Sequence, residues 1–198
     1  MNPIDKLTEY FKEFPGIGPR QAKRFTYFLL RKSDSYINEL GRLIPELKKN
    51  ISQCNECFRF FTRNSSTTCN ICSSNRNQRL LMIVARDVDF EAVQKSSEYD
   101  GYYFILGGQI PVLEKNPENI IRIKELKNIL TKRKEKGLEE VILAMNANPD
   151  GDYTGDYLRK ELESFNLKIS TLGRGLSTGT ELEYSDTDTI SNALKNRG

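Results

Sequence analysis

All four cysteines of the 198-residue chain fall within one stretch, CNECFRFFTRNSSTTCNIC, as Cys54, Cys57, Cys69 and Cys72. The pattern is a C-x2-C pair, eleven residues, and a second C-x2-C pair. Two turns of this kind can each offer two thiolates to one tetrahedral ion at about 2.3 Å, with turn amides donating to the sulfurs. The chain has no histidine, which takes away the commonest nitrogen ligand and the usual general base and leaves sulfur and carboxylate to do the chemistry. Four sulfurs leave no open coordination position. The spacing therefore predicts one structural Zn²⁺ per chain, a staple for a segment too short to hold a core of its own. Two disulfides are the competing use of four cysteines, but they belong to oxidising compartments, and the N-terminal MNPIDKLTEY shows no signal-peptide pattern. Phe58, Phe60 and Phe61, between the pairs, are expected to pack beside the metal.

A second constellation lies upstream in FPGIGPRQAKRF, residues 14–25. Gly16 and Gly18 sit between Pro15 and Pro19, and three cations, Arg20, Lys23 and Arg24, follow within little more than a helical turn. A proline disfavours helical geometry in the residue before it, and it suits the first position of a new helix. The stretch thus predicts a tight bend between two helices. Amides at the start of the second helix, with its dipole, can face a phosphate, and glycines let a polynucleotide backbone approach. The three cations would add charge and counterion release without reading bases. The plain alternative is a helical corner with no ligand. FPGIGPRQAKR is similar to the helix-hairpin-helix DNA-binding motif, in which Gly16, Gly18, Arg20, Lys23 and Arg24 are the candidate contacts.

The third candidate is NANPDGDYTG, with Asp150 and Asp152 on either side of Gly151. Two carboxylates in a loop can hold Mg²⁺ beside phosphates for phosphodiester chemistry. The other reading is a Pro-Asp-Gly turn whose acids cap the next helix or meet a partner protein. The glycines of LGGQIPVLEKN and GRGLSTGTELEY come without a Walker-type lysine, so no nucleotide-hydrolysing loop is expected; those of the second stretch are expected to position Arg174 and Thr180.

The elements that must carry these residues read as follows. Apolar positions Ile4, Leu7, Tyr10, Phe11 and Phe14 predict a helix over 4–14, and a second over 19–32 burying Ala22, Phe25, Phe28 and Leu29. A third is expected over 35–49, interrupted or bent at Pro45. From Leu80 onward strands at 79–85, 102–108, 139–146 and 168–175 alternate with helices at 87–96, 117–137 and 152–166, the signature of a parallel sheet with helices on its faces. Functional loops should follow Ala85, Leu106 and Asn146 at the carboxyl ends of the strands. The tail 186–198 reads as a short helix with Asp186 or Thr187 as its N-cap.

Charge divides the chain in two. Residues 1–79 carry 14 Lys and Arg against 7 Asp and Glu, residues 80–198 carry 16 against 20. A zinc-tetrathiolate centre, formally about −2, leaves the first part basic and suited to a polyanion. No apolar run approaches the roughly 20 residues a membrane helix needs, so a cytoplasmic protein without a membrane partner is expected.

In that order the modules resemble the RecR family of bacterial recombination mediators over essentially the whole chain. The resemblance rests on FPGIG at 14–18, the cysteine spacing, YYFILGG at 102–108 and RGLSTGTELEYSD at 174–186. It implies an α/β multi-module fold: a helix-hairpin-helix region over 1–52, a four-cysteine zinc finger over 53–76, a Toprim-like domain with a mainly parallel sheet over 77–172, and an oligomerisation segment over 173–198. It further implies a mediator without catalytic residues, acting with RecO and possibly RecF to promote RecA loading on gapped single-stranded DNA. Such proteins assemble as dimers or tetrameric rings that can surround DNA. Arg20, Lys23 and Arg24 would line the DNA path, and Asp150 and Asp152 would face a partner such as RecO. One position departs from the Toprim pattern: where catalysts carry a glutamate at the end of the first strand, this chain has Ala85 followed by Arg86. Asp87 or Asp89 could stand in from the next turn. The competing reading is a Mg²⁺-dependent Toprim nuclease or primase-like enzyme; a third, an RNA- or ribosome-associated zinc protein, fits the α/β half poorly.

Overall fold

The computed structural model describes residues 1–179 and 181–197, so Thr180 lies outside the described residues. The chain divides into two units, Met1–Ser52 and Gln53–Gly198.

In the first unit, Asn2 caps helix α1 (Pro3–Lys12) by accepting the Asp5 amide at 2.9 Å, with Pro3 in the first turn. Helix α2 (Pro19–Leu29) begins after Gly18. The two helices meet through Ala22 and Thr26, both buried, with the Thr8 and Thr26 hydroxyls 3.0 Å apart and Phe11 edge-on to Phe25. Two expectations are corrected here. Helix α2 stops at Leu29, and Phe28 is exposed; the small Ala22 and Thr26 side chains occupy the contact, because only they let the helices approach at that point. Helix α3 (Asp34–Asn50), capped by Ser33, runs through Pro45 without interruption. It buries no residue and leaves Leu43, Ile44 and Leu47 exposed.

The division falls within strand β1 (Ile51–Gln53), which pairs with β2 (Phe60–Thr62), and a single-turn helix α4 (Asn70–Ser73) follows. Then come β3 (Asn77–Val84), α5 (Asp87–Ser96), β4 (Gly101–Ile105), α6 (Ile123–Lys134), β5 (Glu140–Ala144), α7 (Pro149–Leu162), β6 (Lys168–Thr171) and α8 (Thr187–Lys195). Strands β4, β3, β5 and β6 lie in that order in one parallel sheet, Met82 standing between Tyr103 and Ile142. Both faces of the sheet are covered, as its continuous apolar runs require. Leu81, Ile83 and Phe104 on one face join Leu126 and Leu130 of α6 and Leu158 and Leu162 of α7. Met82, Val84, Tyr103 and Ile105 on the other join Phe90 of α5 and the cysteines.

The helix expected over 117–137 is in fact two pieces, a 3-10 turn at Pro117–Asn119 and then α6. The break is imposed by the sheet. The Arg122 amide donates to Leu106 O at 2.8 Å and its guanidinium to Ile105 O at 3.0 Å, tertiary bonds that override local helix preference. Among the described residues no helix is long and apolar enough to cross a membrane.

Candidate functional site

The bend between α1 and α2 is set by backbone. Gly16 has φ +76, a conformation that side chains disfavour, although nothing lies within 4 Å of where its Cβ would stand. Ile17 donates to Phe14 O at 3.0 Å and is half-buried, which pins the bend to α1. Gly18 is the extended N-cap of α2 and has no side chain to cap it, so the amides of the first turn are left for an outside acceptor. Arg20, Lys23 and Arg24 are all exposed on that turn and the next; Arg24 reaches only Gln21, at 3.4 Å. No acidic residue sits in the first turn. The arrangement can hold an anion by amides, dipole and mobile cations at once.

The structure brings the four cysteines together in the second unit. Their sulfurs all lie within 4.8 Å of one another, and among the described residues theirs is the one such cluster of metal-binding side chains. Cys57 and Cys69 Sγ are 3.6 Å apart, close to the roughly 3.8 Å edge of a tetrahedron built on a zinc–sulfur bond of about 2.3 Å. The donor set and spacing fit zinc. The Cys69 amide donates to Cys54 Sγ at 3.4 Å, which favours a thiolate there, and hydrogen bonds from Cys57, Cys69 and Cys72 push the Cys54 thiol well below its ordinary range. Cys54, Cys57 and Cys69 are buried and Cys72 is half-buried.

The centre is bound to the sheet beside it. Cys57 O accepts the Ile105 amide at 2.8 Å. Phe58, with φ +62, lies against Phe104 with ring centroids 5.4 Å apart. A non-glycine residue in that conformation is held by its surroundings. Of the three phenylalanines expected beside the metal, Phe61 is buried there and Phe58 packs against both faces' clusters. Phe60 instead points outward, since alternation along β2 turns it away when Phe61 turns in.

Arg133 carried no sequence signal, standing in the cation-rich run TKRKEKG that reads as a solvated surface. It is nonetheless buried, with its guanidinium carbon 4.0 Å from the Tyr102 ring centre and Nη2 donating to Glu56 Oε2 at 3.2 Å. Glu56 lies between two of the cysteines, and the Tyr102 hydroxyl donates to Ser74 O, just past the last of them, at 3.0 Å.

At the carboxyl edge of the sheet, Asp150 and Asp152 are not in a loop. Asn148 caps α7, accepting the Gly151 amide at 2.8 Å, and both acids sit in the first helical turn. The cause is Thr154, fully buried, whose hydroxyl donates to Asp150 O at 2.6 Å and accepts the Ile110 amide at 2.8 Å, so the loop after β4 is drawn onto that turn. Asp150 Oδ1 accepts the Val112 amide at 3.1 Å, and Asp152 pairs with Arg174. Asn196, just past α8, donates to Arg174 O at 2.8 Å. Asp152 is thus paired with a cation, and one carboxylate oxygen of Asp150 is taken by a main-chain amide. Ala85, at the end of β3, is fully buried; Asp87 accepts the Phe60 amide and Asp89 the Arg86 amide.

A cleft of about 440 Å³ adjoins this edge, lined among others by Asp152, Asp156, Arg159, Arg174, Asn192 and Asn196.

The Toprim domain family matches residues 79–173. Over 196 residues, 98% of the chain, it is 37% identical to the recombination protein RecR of Herpetosiphon aurantiacus, covering 93% of that protein. The same stretch is 35% identical to recombination protein RecR of Prochlorococcus marinus, covering 95%, and 34% identical to that of Roseiflexus castenholzii, covering 93%.

Proposed function

The chain belongs to the RecR family of recombination proteins, and from that membership we propose that it is a DNA-binding mediator of recombinational repair that works without turnover. The bend at Gly16 and Gly18 grips the sugar-phosphate backbone, and Arg20, Lys23 and Arg24 supply the counter-charge. Zinc, when bound by Cys54, Cys57, Cys69 and Cys72, supplies a fixed tetrahedral anchor for its segment and no chemistry. Asp150 and Asp152, with the neighbouring cleft, form a face for a RecO-type or RecF-type partner, through which RecA is loaded on single-stranded gaps. The exposed Leu43, Ile44 and Leu47 of α3 and Leu182 and Tyr184 near the C-terminus are surfaces for a homo-oligomer, a dimer or tetrameric ring. In domain terms 1–52 is the DNA-binding region, 53–76 the zinc finger, 77–172 the Toprim-like scaffold and 173–198 the assembly segment of a cytoplasmic protein.

The observation that carries this reading is the uncapped, acid-free start of α2 beside three exposed cations. Lys23→Ala with Arg24→Ala is expected to weaken DNA binding and to lower the salt slope by about 0.7 to 0.9 for each phosphate the variant no longer neutralises. Unchanged affinity and slope would remove the reading. The non-enzymatic half of the proposal is supported by Ala85 and by the engagement of Asp152 with Arg174. Cleavage of labelled DNA with Mg²⁺ or Mn²⁺, abolished by Asp150→Asn, would overturn it.

A further inference from the structure

The zinc-bearing segment leaves one aromatic ring out of its own packing. Phe60 is 56% exposed, and Val88 in the first turn of α5 is 61% exposed. The Phe60 amide donates to Asp87 Oδ1 at 2.8 Å, which brings β2 to the start of α5, where Val88 lies. Arg59 precedes it, its Nε donating to Phe60 O at 3.4 Å, its guanidinium carbon 4.7 Å above the centre of Phe90 and its Nη1 3.4 Å from Asn70 Oδ1. Arg86, adjacent to Asp87, has a side chain 57% exposed. The two carboxylates of the patch are turned onto main-chain nitrogen, Asp87 on Phe60 and Asp89 on Arg86 at 3.0 Å, the latter also 3.5 Å from Arg86 Nε.

We infer that this outer face, Phe60 with Arg59 and Arg86, is a stacking platform for a base of single-stranded DNA. The inference rests on the DNA-binding reading above and adds a second contact to it. A flat exposed ring bordered by guanidinium groups suits an unpaired base, whose π-face can be taken without regard to sequence while the cations meet the flanking phosphates. A duplex keeps its bases stacked inside and offers none to Phe60. Two arginines stand against two carboxylates, with a formally anionic zinc-thiolate centre beneath, so the pull of charge is small here and stacking carries the contact. The hairpin works the other way, by charge. The two contacts therefore separate in a salt titration.

The test is fluorescence anisotropy of the full-length, zinc-loaded protein with labelled oligo-dT and with a matched duplex across a salt series, together with ultraviolet cross-linking to oligo-dT and mapping of the linked peptide. Phe60→Ala is expected to weaken oligo-dT binding about 5-fold or more, with the salt slope and duplex binding unchanged. Phe60→Trp should retain the affinity, and a cross-link should fall on the peptide containing Phe60. Zinc content and melting temperature equal to the parent's show that the variant is folded. If the parent binds oligo-dT and Phe60→Ala binds it equally, with cross-links elsewhere, the platform is refuted and the hairpin reading stands. A change in oligomeric state with unchanged DNA affinity also refutes it, since the face would then be a contact between copies. If the parent binds no DNA, both readings fall together.

Discussion

Arg133 should hold the metal-bearing segment on the sheet, and Arg133→Met measures how firmly. Methionine keeps most of the apolar stem and removes the charge and the planar head. Two interactions go with it. The pair with Glu56 spans 3.2 Å, but the Glu56 side chain is 41% exposed, so its loss is discounted to the surface-pair range, about 0.5 kcal/mol. The guanidinium over Tyr102 at 4.0 Å is largely shielded from water, and such an interaction is worth about 1 to 2 kcal/mol. Together they predict a loss of about 2 kcal/mol, which for a domain of this size lowers Tm by about 4 to 8 °C. If the whole loss falls on the opening of the cysteine turns, zinc release to a competing chelator speeds up by about 30-fold. Arg133→Lys, which keeps the charge but cannot lie flat on the ring, should fall between. Melting by circular dichroism and chelator-driven release followed by a metal indicator read the two effects. A Met variant that melts and releases zinc like the parent would refute the account of Arg133 as the tie between α6 and the cysteines.

Three further outcomes follow from the geometry. Gly151→Ala would place a methyl 2.0 Å from Asn146 O and 2.7 Å from Gln109 Nε2, so the first turn of α7 must move; a loss of about 1 to 3 kcal/mol in a denaturant titration is expected, and a neutral result would show that the turn adapts. Asp186 caps α8 through the Thr189 amide at 2.8 Å, and that hydrogen bond holds its carboxyl below the usual range. A lowered folded value means that the stabilisation is whole above the ordinary carboxylate range and fades as pH falls through the lowered one, so the amide protection factors of α8, corrected for the intrinsic exchange rate at each pH, should fall on acidification in the parent but not in Asp186→Ala. Zinc removal should free Cys57 O from its bond to the Ile105 amide on β4 and uncover that edge strand, giving aggregation by light scattering that zinc added back beforehand prevents.

The parallel sheet was legible because its strands are apolar runs of the right length between helical periods, and β3 and α5 fall within two residues of their expected bounds. The cysteines were legible because metal ligation fixes spacing in the sequence itself. What escaped depended on partners far along the chain. The split before α6 is made by hydrogen bonds from Arg122 to the end of β4. The placing of Asp150 and Asp152 inside α7 follows from Asn148 as cap with Pro149 in the first turn, a signal the sequence does carry, and from Thr154 reaching Ile110, which no local pattern announces. Phe60 was expected inside on composition, although the period of two along β2 already separated it from Phe61. Arg133 was invisible, because its role exists only where Tyr102 and Glu56 have been brought to it.

The same contacts bear on the proposal that this Toprim domain serves as a scaffold. A phosphodiester site at the carboxyl edge of a parallel sheet needs carboxylates free to bind metal and an acid or base at the end of the central strand. In this chain buried Ala85 follows β3, Asp150 accepts the Val112 amide, and Asp152 is held by Arg174, itself held through its carbonyl by Asn196. Asp150 and Asp152 thereby fix the loop after β4 and the C-terminal segment to α7. Rigidity of that kind hinders a site that must admit and release a substrate, and it favours a surface that must present one shape to a partner. An Arg174→Ala variant that bound Mg²⁺ at Asp152 without gaining any cleavage of DNA would show that the missing carboxylate at Ala85, rather than the latch, is the deeper loss.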